Sequence, residues 1–204
     1  MLISFEGIDG CGKSTQIEKV KSYLTEKGYE VHVFREPGGT PLSEQIREIL
    51  LNSRDEIHPL AESLLFSAAR AQLVATRIRP LLAEGAIVIL DRFYDSTTAY
   101  QGYGRQAVPV PDIEQLNALA TQNLEPDITF YLKLDPHQAS ERRRKNREED
   151  RMERAGKAFF KRVSEGFDQL ASREERMVAL DSSKSPDTTF RSIVGHLEKK
   201  LPRL

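Results

Sequence analysis

Cysteine is almost absent. The 204 residues contain one, Cys11, which excludes an internal disulfide and fits a reducing compartment, the cytoplasm. Neither sign of charge dominates: 30 Lys and Arg stand against 31 Asp and Glu, a net charge of −1. A nucleic-acid binder normally carries a basic surplus, so no nucleic-acid partner is expected. No apolar run approaches the roughly 18 residues of a membrane span, so no membrane partner is expected either. Met1 to Phe5 is apolar, but it is too short for a secretory leader and has no basic flank. The four histidines, His32, His58, His137 and His196, show no metal-ligand spacing. No repeat, low-complexity tract or linker divides the chain. Its length suffices for one domain with a full core, spanning 1–204.

What is present begins at residue 7. Gly7-Ile8-Asp9-Gly10-Cys11-Gly12-Lys13-Ser14 is a complete G-x-x-x-x-G-K-[ST] phosphate-binding pattern. Glycines let backbone N–H groups converge on phosphate oxygens, and the helix that follows points its positive end at the same oxygens. Lys13 suits the β/γ-phosphates and the Ser14 hydroxyl suits Mg²⁺. Context supports the pattern: the apolar Leu2–Phe5 precedes it and a helical stretch from Gln16 to Lys27 follows.

Five short apolar runs read as parallel strands covered on both faces: Leu2–Glu6, Glu30–Arg35, Ala86–Asp91, Ile128–Leu134 and Met177–Asp181. Helical spacing fills the intervals: Pro41 to about Leu51 with Thr40 as N-cap, Leu60 to Glu84, Pro111 to about Asn123, Ala155 to Ser172 and Pro186 to Leu201. Strands alternating with helices imply right-handed βαβ units and an α/β fold.

The strand Ala86–Asp91 ends in an acid, the form of a Walker B element, and Asp91 beside the loop strand suits Mg²⁺. Arg92 follows at the carboxyl edge, where ligands of open α/β sheets bind, and guanidinium matches phosphate. Arg35-Glu36-Pro37-Gly38-Gly39-Thr40 makes a turn where backbone can approach a ligand, although residue types alone favour a plain connection. Spacing leaves open whether Arg47 faces the crevice or solvent. On the same grounds Phe66, beside Leu64 and Leu65, reads as core, as does Tyr100, and Arg70 reads as a solvated helix residue.

Together, Phe5 to Gln16, Arg35 to Thr40, Leu65-Phe66-Ser67-Ala68-Ala69-Arg70, Asp91-Arg92-Phe93 with Ser96-Thr97-Thr98-Ala99-Tyr100-Gln101-Gly102, and Pro126 to Leu132 resemble the bacterial thymidylate kinases, P-loop nucleoside monophosphate kinases. The resemblance spans nearly the whole chain in family order. It implies a three-layer P-loop NTPase fold: a five-stranded parallel sheet in order 2-3-1-4-5 flanked by helices, with a short arginine-rich lid. It implies transfer from ATP, with Mg²⁺, to dTMP in dTTP biosynthesis, and a homodimer. By matching positions, Gly7 to Thr15 hold ATP, Phe66 stacks on thymine, and Arg70 bonds the base edge with Thr97 beside it. Arg92 and Arg47 hold the acceptor phosphate. Asp9 lies near the sugar 3′-hydroxyl and the metal, Tyr100 crowds the sugar's 2′ position, and Ser14 and Asp91 hold Mg²⁺. Position 11 is often Ser in the family, and Cys here is read as a tolerated small residue; the alternative is an oxidisable thiol, its pKa lowered at a helix N-terminus.

Some relatives carry an arginine inside the phosphate loop. Ile8, Asp9, Gly10 and Cys11 are not basic, so a mobile cation is expected elsewhere. Residues 141–154 hold seven basic and five acidic residues and resemble the family's lid, with Arg147 and Arg151 as catalytic candidates beside Lys13 and Arg92. Adenine contacts are expected from Ser182-Ser183-Lys184-Ser185. Two competing functions are a kinase for another nucleoside monophosphate, which differs in the base pocket, and a P-loop GTPase switch. The switch needs N-K-x-D and D-x-x-G elements, and neither stands in suitable context, since Asp91 is followed by Arg-Phe-Tyr.

Overall fold

A computed structural model describes residues 1–53, 56–144 and 156–201. Five strands, β1 (Leu2–Glu6), β2 (Val31–Arg35), β3 (Ile87–Asp91), β4 (Ile128–Lys133) and β5 (Met177–Asp181), form one parallel sheet in the order β2-β3-β1-β4-β5. The expected order and strands are borne out, with ends moved by at most one residue. β1 is buried throughout, and β3 and β4 are buried except at their last residues, whereas the edge strands β2 and β5 are half-exposed. Continuous apolar runs belong in the centre of a sheet covered on both faces. Ser4 and Thr129, the polar exceptions there, hydrogen-bond each other across β1 and β4 at 2.7 Å.

The helices largely follow expectation, with informative departures. α1 (Lys13–Glu26) begins three residues early, so the phosphate loop passes straight into it from Gly12. α2 (Pro41–Asn52) has the expected Thr40 cap, whose side chain accepts from the Ser43 N–H. The stretch expected as one helix over Leu60 to Glu84 is α3 (Pro59–Leu73), a π-turn (Val74–Ile78) and α4 (Arg79–Ala83). The π-turn keeps Val74 and Ile78 both buried, against β3 residues Val88 and Leu90. α5 (Tyr94–Thr97) runs into a second π-helical segment, Thr98–Arg105. Then come α6 (Val110–Thr121), α7 (Pro136–Arg144), α8 (Lys157–Arg173) and α9 (Pro186–Leu197), the last ending four residues short of Leu201. Among the described residues no helix is long and apolar enough to cross a membrane.

α8 lies along the 98–105 segment because a glycine permits the approach. A Cβ on Gly104 would stand 2.7 Å from Phe159 and 2.8 Å from Val163. Arg162 of α8 donates twice to the Gly104 carbonyl, at 3.0 and 2.8 Å. Gly104→Ala is therefore expected to cost about 1–3 kcal/mol through overpacking; the urea midpoint measures it, and an unchanged midpoint contradicts this packing.

Candidate active site

The site lies at the carboxyl ends of β1 and β3, beside the point where the strand order reverses. The loop after β1 is shaped by Gly7, at φ 130°. A Cβ there would sit 2.7 Å from the Leu132 carbonyl oxygen and 2.9 Å from the Cys11 sulfur. Lys13 is buried and its ammonium donates to the carbonyls of Gly7 (3.0 Å) and Ile8 (3.3 Å). The Ser182 hydroxyl donates to the Cys11 carbonyl, and Arg142 of α7 donates to the Ser182 carbonyl at 3.2 and 3.3 Å. The end of β5 and Arg142 thus meet beside the phosphate loop.

A cleft of about 730 Å³ opens there, lined by Asp9 to Thr15, Asp91, Arg92, Arg142 and Lys184 among others. Of the expected ATP-side residues, Gly7 and Ile8 stand behind its wall. Cys11 is wholly buried, and burial pushes its thiol up rather than down. This speaks against the oxidisable-thiol alternative: desolvation of the thiolate outweighs the opposing pull of Lys13 and Arg92.

A second, narrower pocket of about 100 Å³ adjoins the first, and all seven expected acceptor-side residues line it: Asp9, Arg47, Phe66, Arg70, Arg92, Thr97 and Tyr100. Arg70 is 2% exposed, so the solvated-helix reading is overturned. Its Nε and NH2 both reach Glu36 Oε2 at 2.7 Å and its NH1 donates to Asn117 Oδ1 at 3.2 Å. Burial pushes the Glu36 carboxyl up, opposed by Arg70, and among the described residues Glu36 Oε1 is buried without a hydrogen-bond partner. Phe66 is half-buried with its ring at the pocket. Arg47 turns inward to the Pro37 carbonyl at 3.0 Å, which resolves the choice its spacing left open.

Arg92 joins the two pockets. Its NH1 donates to the Gly7 carbonyl (2.9 Å) and Ser96 Oγ (3.0 Å), its NH2 to Asp9 Oδ1 (2.8 Å) and the Tyr100 hydroxyl (3.2 Å). Sequence reasoning missed Glu6, Glu36, Ser96, Gln101, Arg142 and the Glu62 carboxylate that accepts from Gln101 at 2.9 Å. Glu6 carried a signal: an acid closing a wholly apolar strand is buried and must be compensated. Glu36, Ser96, Gln101 and Arg142 fell inside stretches the sequence singles out but without a role of their own, and Glu62 carried no signal, since partners such as Glu36 and Arg70 are 34 residues apart. Arg147 and Arg151 lie outside the described residues.

Burial, reinforced by Asp95, pushes the Glu6 carboxyl from 4.5 up to about 8, against the opposing pull of Ser96, Arg92 and the Phe93 N–H. The folded chain then holds this proton more tightly than the unfolded one. The stability it contributes is full below about pH 4.5 and is lost as pH rises toward 8. Unfolding free energy is expected to fall across that window, and less steeply in Glu6→Gln; equal slopes in the two proteins refute the shift.

Known proteins resemble this chain over nearly its whole length. The family model described as thymidylate kinase matches residues 5–193. A thymidylate kinase of Chlorobium chlorochromatii (strain CaD3) is 49% identical, over 98% of this chain and 96% of its own length. One of Thermoanaerobacter sp. (strain X514) is 44% identical over 98% of each. The crystal structure of thymidylate kinase from Ehrlichia chaffeensis superposes with a TM-score of 0.78 at 35% identity, covering 97% of this chain and 98% of that one. With its phosphate loop, its strand order and a second pocket joined to the loop through Arg92, the chain belongs to the thymidylate kinase family.

Proposed function

We propose that the chain transfers the γ-phosphoryl group of ATP to the 5′-phosphate of dTMP, giving dTDP and ADP. The observation that carries this reading is the junction of two pockets: the phosphate-loop cleft and the Phe66–Arg70 pocket share Asp9, Glu36, Arg47 and Arg92. A nucleotide in each would bring its phosphates together at those side chains.

Two anions must approach, so the chemistry needs alignment and cations rather than a strong base. The bond between the γ-phosphorus and its bridging oxygen breaks as a bond to an acceptor phosphate oxygen forms. Lys13 leaves the Gly7 and Ile8 carbonyls for the donor phosphates. Arg92 and Arg47 hold the acceptor phosphate, while Phe66 offers a ring face to thymine and Arg70, with Thr97, meets its edge. Tyr100 and Asp9 bound the sugar. The Ser14 hydroxyl and the Asp91 carboxylate both line the loop cleft, an oxygen donor set that fits Mg²⁺. When bound, the ion would neutralise charge on the donor phosphates. We take the chain as one domain whose segment 141–154 closes over ATP, with Arg147 and Arg151 supplying the cations that the loop lacks, and we place it in the cytoplasm.

A homodimer is part of the same proposal. α2 and α3 expose Leu42, Ile49, Leu60 and Leu64, each about half accessible, an apolar surface suited to a second copy of the chain.

Three outcomes follow. In a transfer assay with ATP and Mg²⁺, dTMP is turned over and dCMP and GMP are not; turnover of those without dTMP overturns the substrate. Lys13→Ala lowers kcat by about 100-fold or more, the cost of one cation at the transferring phosphoryl, and a near-wild-type kcat refutes its role. The mass in solution is near twice 23.2 kDa and shifts toward the monomer in Leu64→Glu; a wild-type monomer overturns the dimer.

A further inference from the structure

The mechanism uses Arg92 but leaves open what aims it. Arg92 has φ 73°, a left-handed conformation that side-chain-bearing residues rarely adopt, so the neighbouring structure must hold it. On the backbone, the Arg92 N–H donates to the Phe5 carbonyl at 3.0 Å and the Phe93 N–H donates to Glu6 Oε1 at 2.7 Å. On the side chains, the Ser96 hydroxyl donates to Glu6 Oε2 at 2.6 Å, and the same Ser96 oxygen accepts from Arg92 NH1 at 3.0 Å. The second NH1 proton goes to the Gly7 carbonyl. Glu6 has no exposed surface and Ser96 only 9%.

One buried carboxyl group, at the end of β1 and directly before Gly7, therefore grips the turn after Arg92. Through a single hydroxyl it also grips the guanidinium. The two ends of that guanidinium are treated differently. NH1 is held by the Gly7 carbonyl and by Ser96, itself bound to Glu6, whereas NH2 meets Asp9 and Tyr100; Ser96, Asp9 and Tyr100 all line the second pocket.

We infer that Glu6 and Ser96 are positioning residues for Arg92: Glu6, acting through the Ser96 hydroxyl, fixes the guanidinium plane so that its NH2 edge faces the acceptor phosphate. The inference rests on the reading of Arg92 as a ligand of that phosphate. It requires the hydroxyl at position 96 and the full reach of the glutamate, since an aspartate falls one methylene short of both Phe93 and Ser96.

Steady-state kinetics of the full-length protein with dTMP and ATP test it. Ser96→Ala removes the middle of the chain, Glu6→Asp retracts its end, and Ser96→Thr keeps the hydroxyl. Ser96→Ala and Glu6→Asp are expected to raise the KM for dTMP about tenfold, the effect of losing a charge-assisted hydrogen bond. The KM for ATP should stay unchanged. Ser96→Thr should restore the KM for dTMP. The double variant should be no worse than the poorer single one, because both cut the same chain. A role in folding alone would lower the active fraction and leave the KM for dTMP untouched. An unchanged KM for dTMP in folded Ser96→Ala, or equal impairment in Ser96→Thr, overturns the inference. Should Glu6→Asp fail to fold, the Ser96 pair decides by itself. Arg92→Ala separates the two levels. Wild-type kinetics in that variant sink the reading of Arg92 and the inference with it, whereas an impaired Arg92→Ala beside an unimpaired Ser96→Ala sinks the positioning role only.

Discussion

The hydrogen bonds of the Arg92 guanidinium tie the phosphate loop to the segment that follows β3. They reach the carbonyl of Gly7, the carboxylate of Asp9, the hydroxyl of Ser96 and the phenol of Tyr100, so the phosphate loop and the segment 94–105 are set against each other through one planar group. Holding a residue with a side chain in left-handed backbone costs on the order of 1–3 kcal/mol. The Phe5 carbonyl and the Glu6 carboxyl group offset that cost by engaging the N–H groups of Arg92 and Phe93. The strained turn thus becomes a fixed point between two pockets.

Buried acids recur around it. Glu6 faces Phe93 and Ser96, Glu36 faces Arg70, Glu62 faces Gln101 and Arg105, and Asp95 faces Arg176 through two bonds of 2.7 and 2.8 Å. A buried ion pair is weak evidence for stability, because desolvation consumes most of the attraction. Its better-supported use is to set direction. A guanidinium with several protons already engaged has few orientations left, and in Arg70 those engagements run to Glu36 and Asn117. The second pocket is therefore braced from one layer behind its wall.

The strands were legible because parallel sheets with both faces covered demand continuous apolar runs, and Leu2–Glu6 and Met177–Asp181 match to the residue. The helix start at Lys13 was less legible, since nothing in Gly12-Lys13-Ser14 separates loop from helix by composition. The segment Tyr94–Arg105 is not among the helical stretches read from the sequence. Its threonines and two glycines are poor helix formers, and it is helical because α8 packs over Gly104 and Glu62 binds Arg105. Of the site, the phosphate loop, Asp91 and Arg92 were readable from residue chemistry. Phe66, Arg70 and Tyr100 were reached only through resemblance, since in isolation two look like core and the third like surface.

By itself, the sequence determined what depends on neighbours along the chain: the glycine pattern that admits phosphate, the lysine and serine that follow it, the strand ends that carry an acid and an arginine, and the alternation that makes the sheet parallel. Tertiary structure decided what depends on partners far away. It buried Arg70 against Glu36 and Asn117, turned Arg47 inward to Pro37, raised the Cys11 thiol, and brought Ser182 onto the phosphate loop from 171 residues away. Periodicity and residue type report local preference, whereas burial and charge pairing are properties of the assembled core, and no window along the chain contains both partners.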